Sequence, residues 1–180
     1  MSAAEAPIES TTTVVIGAGL PGLAVASELS RHGIPSVVLE GMERAPRRRA
    51  GVRDTAAITE RSELLRLLRG YASSHALDVR HSTVARTVKR GGAGSQWVVQ
   101  TELGVLRADS LVITDCPQNQ VRRFLRSAGI SSGRDIVASL KALGIYLVGV
   151  TELLAPSTRE IIRQAKVVSD SIAGGRLLLA

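Results

Sequence analysis

Residues 12–40 read TTVVIGAGLPGLAVASELSRHGIPSVVLE, and the order of residue types in this stretch decides the fold. Thr12 to Ile16 is a β-branched run ending without polar alternation, the pattern of a parallel strand buried on both faces. Gly17-Ala18-Gly19-Leu20-Pro21-Gly22 turns the chain. Leu20 to Arg31 then carries Leu23, Ala26, Leu29 and Ser30 at helical spacing. Pro21 fits the first helical turn, where a missing N–H costs nothing. Gly33 stops the helix, and Ser36 to Glu40 is a second apolar strand. The stretch is a β-α-β unit.

Working outward, residues 41–58 show no period and read as a loop. A second helix is expected from Glu60 to His75, with Leu64, Leu65, Leu67, Leu68 and Tyr71 on its apolar side. Leu77 to Arg80 is a short strand. Val84–Lys89, Gln96–Thr101 and Val105–Arg107 read as a three-stranded meander, with turns at Gly91–Gly94 and Leu103–Gly104. Ser110 to Thr114 is another buried strand, residues 118–141 hold one or two short helices, and Ile145 to Val150 is the last strand. The final helix is expected over Ser157–Ala173, opened by Ser157 and Glu160 at capping-box spacing and ended by Gly174. The expected organisation is a disordered lead over 1–11, one α/β domain over 12–174 and a tail over 175–180.

Composition bounds the function. With 180 residues and 44% hydrophobic content, the chain can build one core. No uncharged apolar run approaches the roughly 18 residues of a membrane span. Residues 1–11 lack the basic and apolar regions of a signal peptide, so the expected location is cytoplasmic, away from membranes. A single cysteine, Cys116, excludes an internal disulfide and a multi-cysteine metal site. His32, His75 and His81 have no metal spacing, and no metal is expected. The net charge of +7 invites an anionic partner. Aromatic content of 2% leaves no base-stacking platform, and the densest basic run is only Arg47–Arg49, so nucleic acid is not the expected partner.

Gly17, Gly19 and Gly22 form G-x-G-x-x-G after a strand and at the opening of a helix, which is the context the motif requires. Gly17 permits the tight turn, Gly19 lets a pyrophosphate approach the backbone, and Gly22 lets the helix pack close to the strand. The helix N-terminus then stabilises the phosphates. Glu40 ends the second strand, where a carboxylate accepts ribose hydroxyls and disfavours a 2′-phosphate. The motif therefore points to FAD or NAD(H). A dehydrogenase would continue with alternating βα units, whereas here a helix, a meander and a return strand come next.

That arrangement, with the sequence of residues 12–40, resembles the two-dinucleotide-binding-domain flavoproteins. Within them it is most similar to bacterial flavin-containing monooxygenases and their disulfide-oxidoreductase relatives. Residues 61–80 resemble the helix before the adenine-contacting strand of that family, and GIYLVGV at 144–150 resembles its late strand. The resemblance implies a Rossmann-like, glutathione-reductase-type FAD-binding sheet with a β-meander crossover. It implies cofactor contacts at Gly17, Ala18, Gly19, Leu20, Pro21, Gly22, Glu40, Gly41, Val84, Thr114 and Gly149. Arg48, in the basic run Arg47–Arg49, is a further candidate for the FAD phosphates or a partner's carboxylate, against the plainer reading of a solvated loop.

Departures from the family pattern narrow the expected activity. Arg44-Ala45-Pro46-Arg47-Arg48-Arg49 stands where the family has a Gly-Gly-x-Trp-like segment, and Thr114-Asp115-Cys116 where it has Ala-Thr-Gly. Val150 stands where many relatives carry a ribityl-binding Asp. No second G-x-G-x-x-G exists. Residues 116–143 occupy the place of the NADPH-binding domain and are too few to form one. The expectation is an FAD-dependent, monooxygenase-like oxidoreductase acting on a small molecule, with electrons from a separate reductase or second subunit. No catalytic side chain is named by the sequence. The alternatives are a non-catalytic FAD- or ADP-ribose-binding module, such as a degenerate partner subunit, and an NAD-binding dehydrogenase domain.

Overall fold

A computed structural model of the chain describes residues 6–43, 55–92, 96–114, 118–127, 129–130, 136–150 and 156–179. Strand β1 (Ile8–Ile16) leads through helix α1 (Leu20–Arg31) to β2 (Ser36–Met42). Helix α2 (Thr55–Ser74) precedes β3 (Asp78–Ala85), and β4 (Thr87–Arg90), β5 (Trp97–Gln100) and β6 (Val105–Thr114) come after it. Helices α3 (Gln118–Ser127) and α4 (Ile136–Ala142) lead to β7 (Ile145–Val148) and α5 (Thr158–Leu179). The seven strands form one sheet in the order β3-β2-β1-β6-β5-β4, with β7 also paired to β6. The β1–β2, β1–β6, β2–β3 and β6–β7 pairs are parallel, and the two meander pairs are antiparallel. This is the expected Rossmann-like α/β sheet.

Strand β6 divides its outer edge. Residues 105–108 pair with β5, and residues 111–114 pair with β7. The opposite edge runs along the whole of β1, from Ile8↔Val105 to Ile16↔Ile113. Both faces of the sheet are covered, which explains the unbroken apolar runs. Val15, Val38 and Val112 pack against α1 and α5, including Leu29, Ile161, Ala165 and Ile172. Val14, Ile16, Leu39, Leu111 and Ile113 pack on the other side with Val121, Phe124 and Leu125 of α3 and Leu140 of α4. The buried Trp97 belongs to that second layer, and its indole N–H donates to the Leu143 carbonyl at 2.9 Å.

Several boundaries differ from the sequence reading, those of the strands for a long-range reason. Residues 8–11, expected in the disordered lead, are strand. Their polar side chains hid the pairing, which the long β6 supplies and which the Val105 N–H to Pro7 carbonyl bond extends. The expected strands 105–107 and 110–114 are one, because β1 holds both halves in a single register. The expected strand 84–89 is divided: Val84 and Ala85 belong to β3, which also takes in residues 78–80 and is interrupted by a bulge, and Thr87–Arg90 is β4. Helix α5 continues through Gly174 and Gly175 into the expected tail. Glycine costs a helix about 1 kcal/mol per residue, but neither residue adopts the left-handed conformation that would end it.

Candidate functional site

The carboxyl ends of β2, β1, β6 and β7 lie abreast, since Ile16 pairs with Leu39 and Ile113, and Thr114 with Val148. The chain leaves β1 toward β2 and later crosses to β6 on its other side. In such sheets ligands bind at this reversal, outside the carboxyl ends. Gly17, Glu40, Thr114 and Gly149 therefore share one rim.

The glycine turn sits at the reversal. Gly17 has φ of +121°, and its N–H donates to the Leu39 carbonyl at 2.9 Å. A Cβ at Gly17 would collide with the Thr114 hydroxyl, and one at Gly22 would collide with the Gly17 carbonyl. Both glycines are thus required by close approach, as the motif's physical logic demands. Gly19 is the N-cap of α1 and offers no side-chain cap, and the first turn carries no acid. The helix N-terminus is open to an anion, which would supply the missing acceptor. Leu20, Pro21 and Gly22 are buried, while Ala18 and Gly19 are half-buried at the turn.

Around this turn the side chains have partners that the sequence did not reveal. The Thr114 hydroxyl, buried, donates to the Ile16 carbonyl at 2.9 Å and so clamps the turn from β6. The Glu40 carboxylate accepts the Ser82 N–H at 2.5 Å. Gly41 pairs with Val84 in register, which places the two expected adenosine positions side by side. Gly149, with φ of +71°, donates its N–H to Gln164 Oε1 of α5 at 2.9 Å. Gln164 in turn donates to Glu160, which also holds Arg163. Those bonds lower the Glu160 carboxyl to about 2 from 4.5, with Arg163 the larger cause.

The start of α2 is tied to α5. The Thr158 hydroxyl donates to Glu60 at 2.5 Å, and Arg61 donates to the Pro156 carbonyl at 2.7 Å. Ser82, Gln164 and the Glu60–Thr158 pair carried no local sequence signal, because each acts across the fold. Arg48 lies outside the described residues, as do Arg44–Arg49 generally, Asp115 and Cys116. Among the described residues no group of His, Cys, Asp or Glu could hold a metal, and no helix is long and apolar enough to cross a membrane.

The family model described as "FAD binding domain" matches residues 10–145. The chain belongs to the FAD-binding domain family. FAD is its cofactor, and the residues present fit the ADP half of that molecule: a helix N-terminus without a side-chain cap, a glycine turn packed too closely for a Cβ at Gly17 or Gly22, and a rim carboxylate. Comparison with curated proteins gives no match. Among solved structures, the chain is similar to the bacillithiol disulfide reductase of Staphylococcus aureus, with 18% identity and a TM-score of 0.44 over 59% of this chain and 38% of that one. It is similar to a mutant flavin monooxygenase from Stenotrophomonas maltophilia, with 21% identity and a TM-score of 0.42 over 61% and 39%. It is also similar to cyclohexanone monooxygenase in its closed form, with 21% identity and a TM-score of 0.43 over 61% and 26%. The domain thus matches well under half the length of these proteins.

Proposed function

We propose that this domain serves an FAD-dependent oxidoreductase of monooxygenase type, cytoplasmic, which oxidises or oxygenates a small molecule with electrons from a separate donor. The observation that carries the reading is the glycine turn at the sheet reversal, where Gly17 and Gly22 pack in close contact and the α1 N-terminus, without a side-chain cap, shares the strand-end rim with Glu40. In this reading the N-terminus of α1 holds the pyrophosphate through backbone amides. Glu40 accepts the ribose hydroxyls, and Gly41 and Val84 flank the adenosine. Thr114 keeps the turn in shape through Ile16, and Gly149, braced by Gln164, borders the redox end. When bound, FAD supplies the two-electron redox chemistry; the protein binds and orients it.

The connection between β6 and β7 supports a separate donor. Residues 115–144, which include α3 and α4, are too few for a second dinucleotide-binding domain. In this reading the donor is a reductase or a second subunit. A visible spectrum of the purified protein tests the cofactor directly: flavin bands are expected, and a colourless protein that takes up no added FAD refutes the reading. With FAD bound, NADPH oxidation by this domain alone should be near zero, and fast turnover would overturn the separate donor.

A second reading is a non-catalytic FAD- or ADP-ribose-binding module. The replacement of the flavin-side segments by Arg44–Arg49 and Thr114-Asp115-Cys116 favours it. Tight FAD binding without oxygen consumption, when the flavin is kept reduced by an added reductase, would decide for the module.

A further inference from the structure

Strands β2 and β3 run in register from Val37↔Asp78 to Leu39↔Arg80 and resume at Gly41↔Val84. Between these points a single β2 residue, Glu40, faces His81, Ser82 and Thr83. The extra residues form a bulge, which re-aims backbone groups out of the ladder. Ser82 sits at φ of +61°, a left-handed conformation that a non-glycine residue adopts only when its surroundings impose it. Its re-aimed N–H donates to Glu40 Oε2 at 2.5 Å. The strain therefore lies at the strand-end rim, at the residue whose amide holds the one acidic side chain of the motif.

We infer that the β3 bulge is a positioning device, in which the Ser82 amide fixes the Glu40 carboxylate before the ribose of an ADP moiety arrives. The inference rests on the reading of Glu40 as the ribose acceptor. A carboxylate offers about four acceptor sites, so the bond to Ser82 does not exhaust it. A glutamate held in one rotamer loses less freedom on binding than a mobile one. A fixed anion also meets a 2′-phosphate with undiminished repulsion, so the bulge sharpens the choice of an unphosphorylated ribose. Ser82 is thus a positioning residue, acting through Glu40.

The test removes the bulge without inverting the strand. Deleting His81 and Ser82 leaves one β3 residue opposite Glu40, and a two-residue change preserves which side chains face the core. Calorimetric titration with ADP-ribose is done on the parent, the deletion, Glu40→Ala and the combined variant. The deletion should weaken ADP-ribose by about tenfold in the parent background, the size of one charge-assisted hydrogen bond. It should weaken it by less than about twofold in the Glu40→Ala background, because coupled residues are not additive. Equal losses in both backgrounds, or no loss in the parent background, would overturn the inference while leaving FAD binding intact. A parent that binds neither FAD nor ADP-ribose would overturn the FAD reading together with it. Should the deletion not fold, amide NMR of the intact chain decides. The Ser82 amide proton should be shifted downfield, stay so with ADP-ribose bound and move upfield in Glu40→Ala; an amide indifferent to Glu40→Ala overturns the inference.

Discussion

Gly22→Ala is the sharpest perturbation of the glycine turn. Gly22 is buried in α1, and its absent Cβ would fall inside contact distance of the Gly17 carbonyl oxygen. That neighbour is backbone, itself fixed by the Gly17 N–H to Leu39 bond, so no rotamer change relieves the clash. Helix α1 must lift from β1 by on the order of 1 Å, in an interior packed without slack. Overpacking costs about 1–3 kcal/mol, and a backbone target puts this site near the upper end. Alanine's better helix propensity offsets about 1 kcal/mol. The net loss is about 2 kcal/mol, which lowers Tm by about 4–8 °C in a chain of this size. The phosphate-facing amides move with the helix, so FAD affinity should fall about 10–100-fold. Scanning calorimetry and a flavin fluorescence titration measure both. Gly33→Ala calibrates them. Its φ of +67° is strained for alanine but nothing lies within 4 Å, so stability should drop by about 1 kcal/mol with FAD affinity unchanged. A Gly22→Ala protein that melts with the parent and binds FAD as tightly refutes the close-packing argument.

Thr114→Val keeps the shape beside Gly17 but leaves the Ile16 carbonyl without its donor, and should cost about 1–2 kcal/mol in urea unfolding, with Thr114→Ser recovering most of it. The Glu160 carboxyl, held near 2, contributes stability that is present above its ordinary value of 4.5 and fades as pH falls toward 2. The Gly149 amide, linked through Gln164, should shift in NMR with that low midpoint; a midpoint at 4.5 would show the Glu160 bonds to be absent in solution. Replacing Gly174 and Gly175 by alanine, with nothing within 4 Å of either, should raise helicity by circular dichroism and stabilise the end of α5 by up to about 1 kcal/mol per site.

The parts of the fold that rest on local order were legible in the sequence. The β-branched run before Gly17, the glycine spacing and the apolar strand ending at Glu40 define β1, α1 and β2 without reference to anything distant. The meander was legible for the same reason, since Gly91–Gly94 and Gly104 mark its turns. What escaped depends on partners far along the chain. Ile8–Thr11 look like a polar leader until Val105–Ala108 pair with them. Ser82 looks like an ordinary strand residue until the bulge turns its amide toward Glu40. The expected role of Thr114 came from its place at a strand end; its hydroxyl is in fact committed to Ile16, a bond across 98 residues that no local pattern encodes.

The divided outer edge of β6 has a practical consequence. The meander hangs from residues 105–108, while the cofactor rim is built at the far ends of β1, β6 and β7. Five steps of strand from Ala108 to Ile113 separate the two, about 16 Å. The Thr101–Gly104 turn between β5 and β6, at the end of the meander away from the rim, can therefore carry an inserted loop, a fluorophore or an affinity handle without displacing any strand end at the glycine turn. The domain has one end given to chemistry and another free for attachment, and a single strand insulates them from each other.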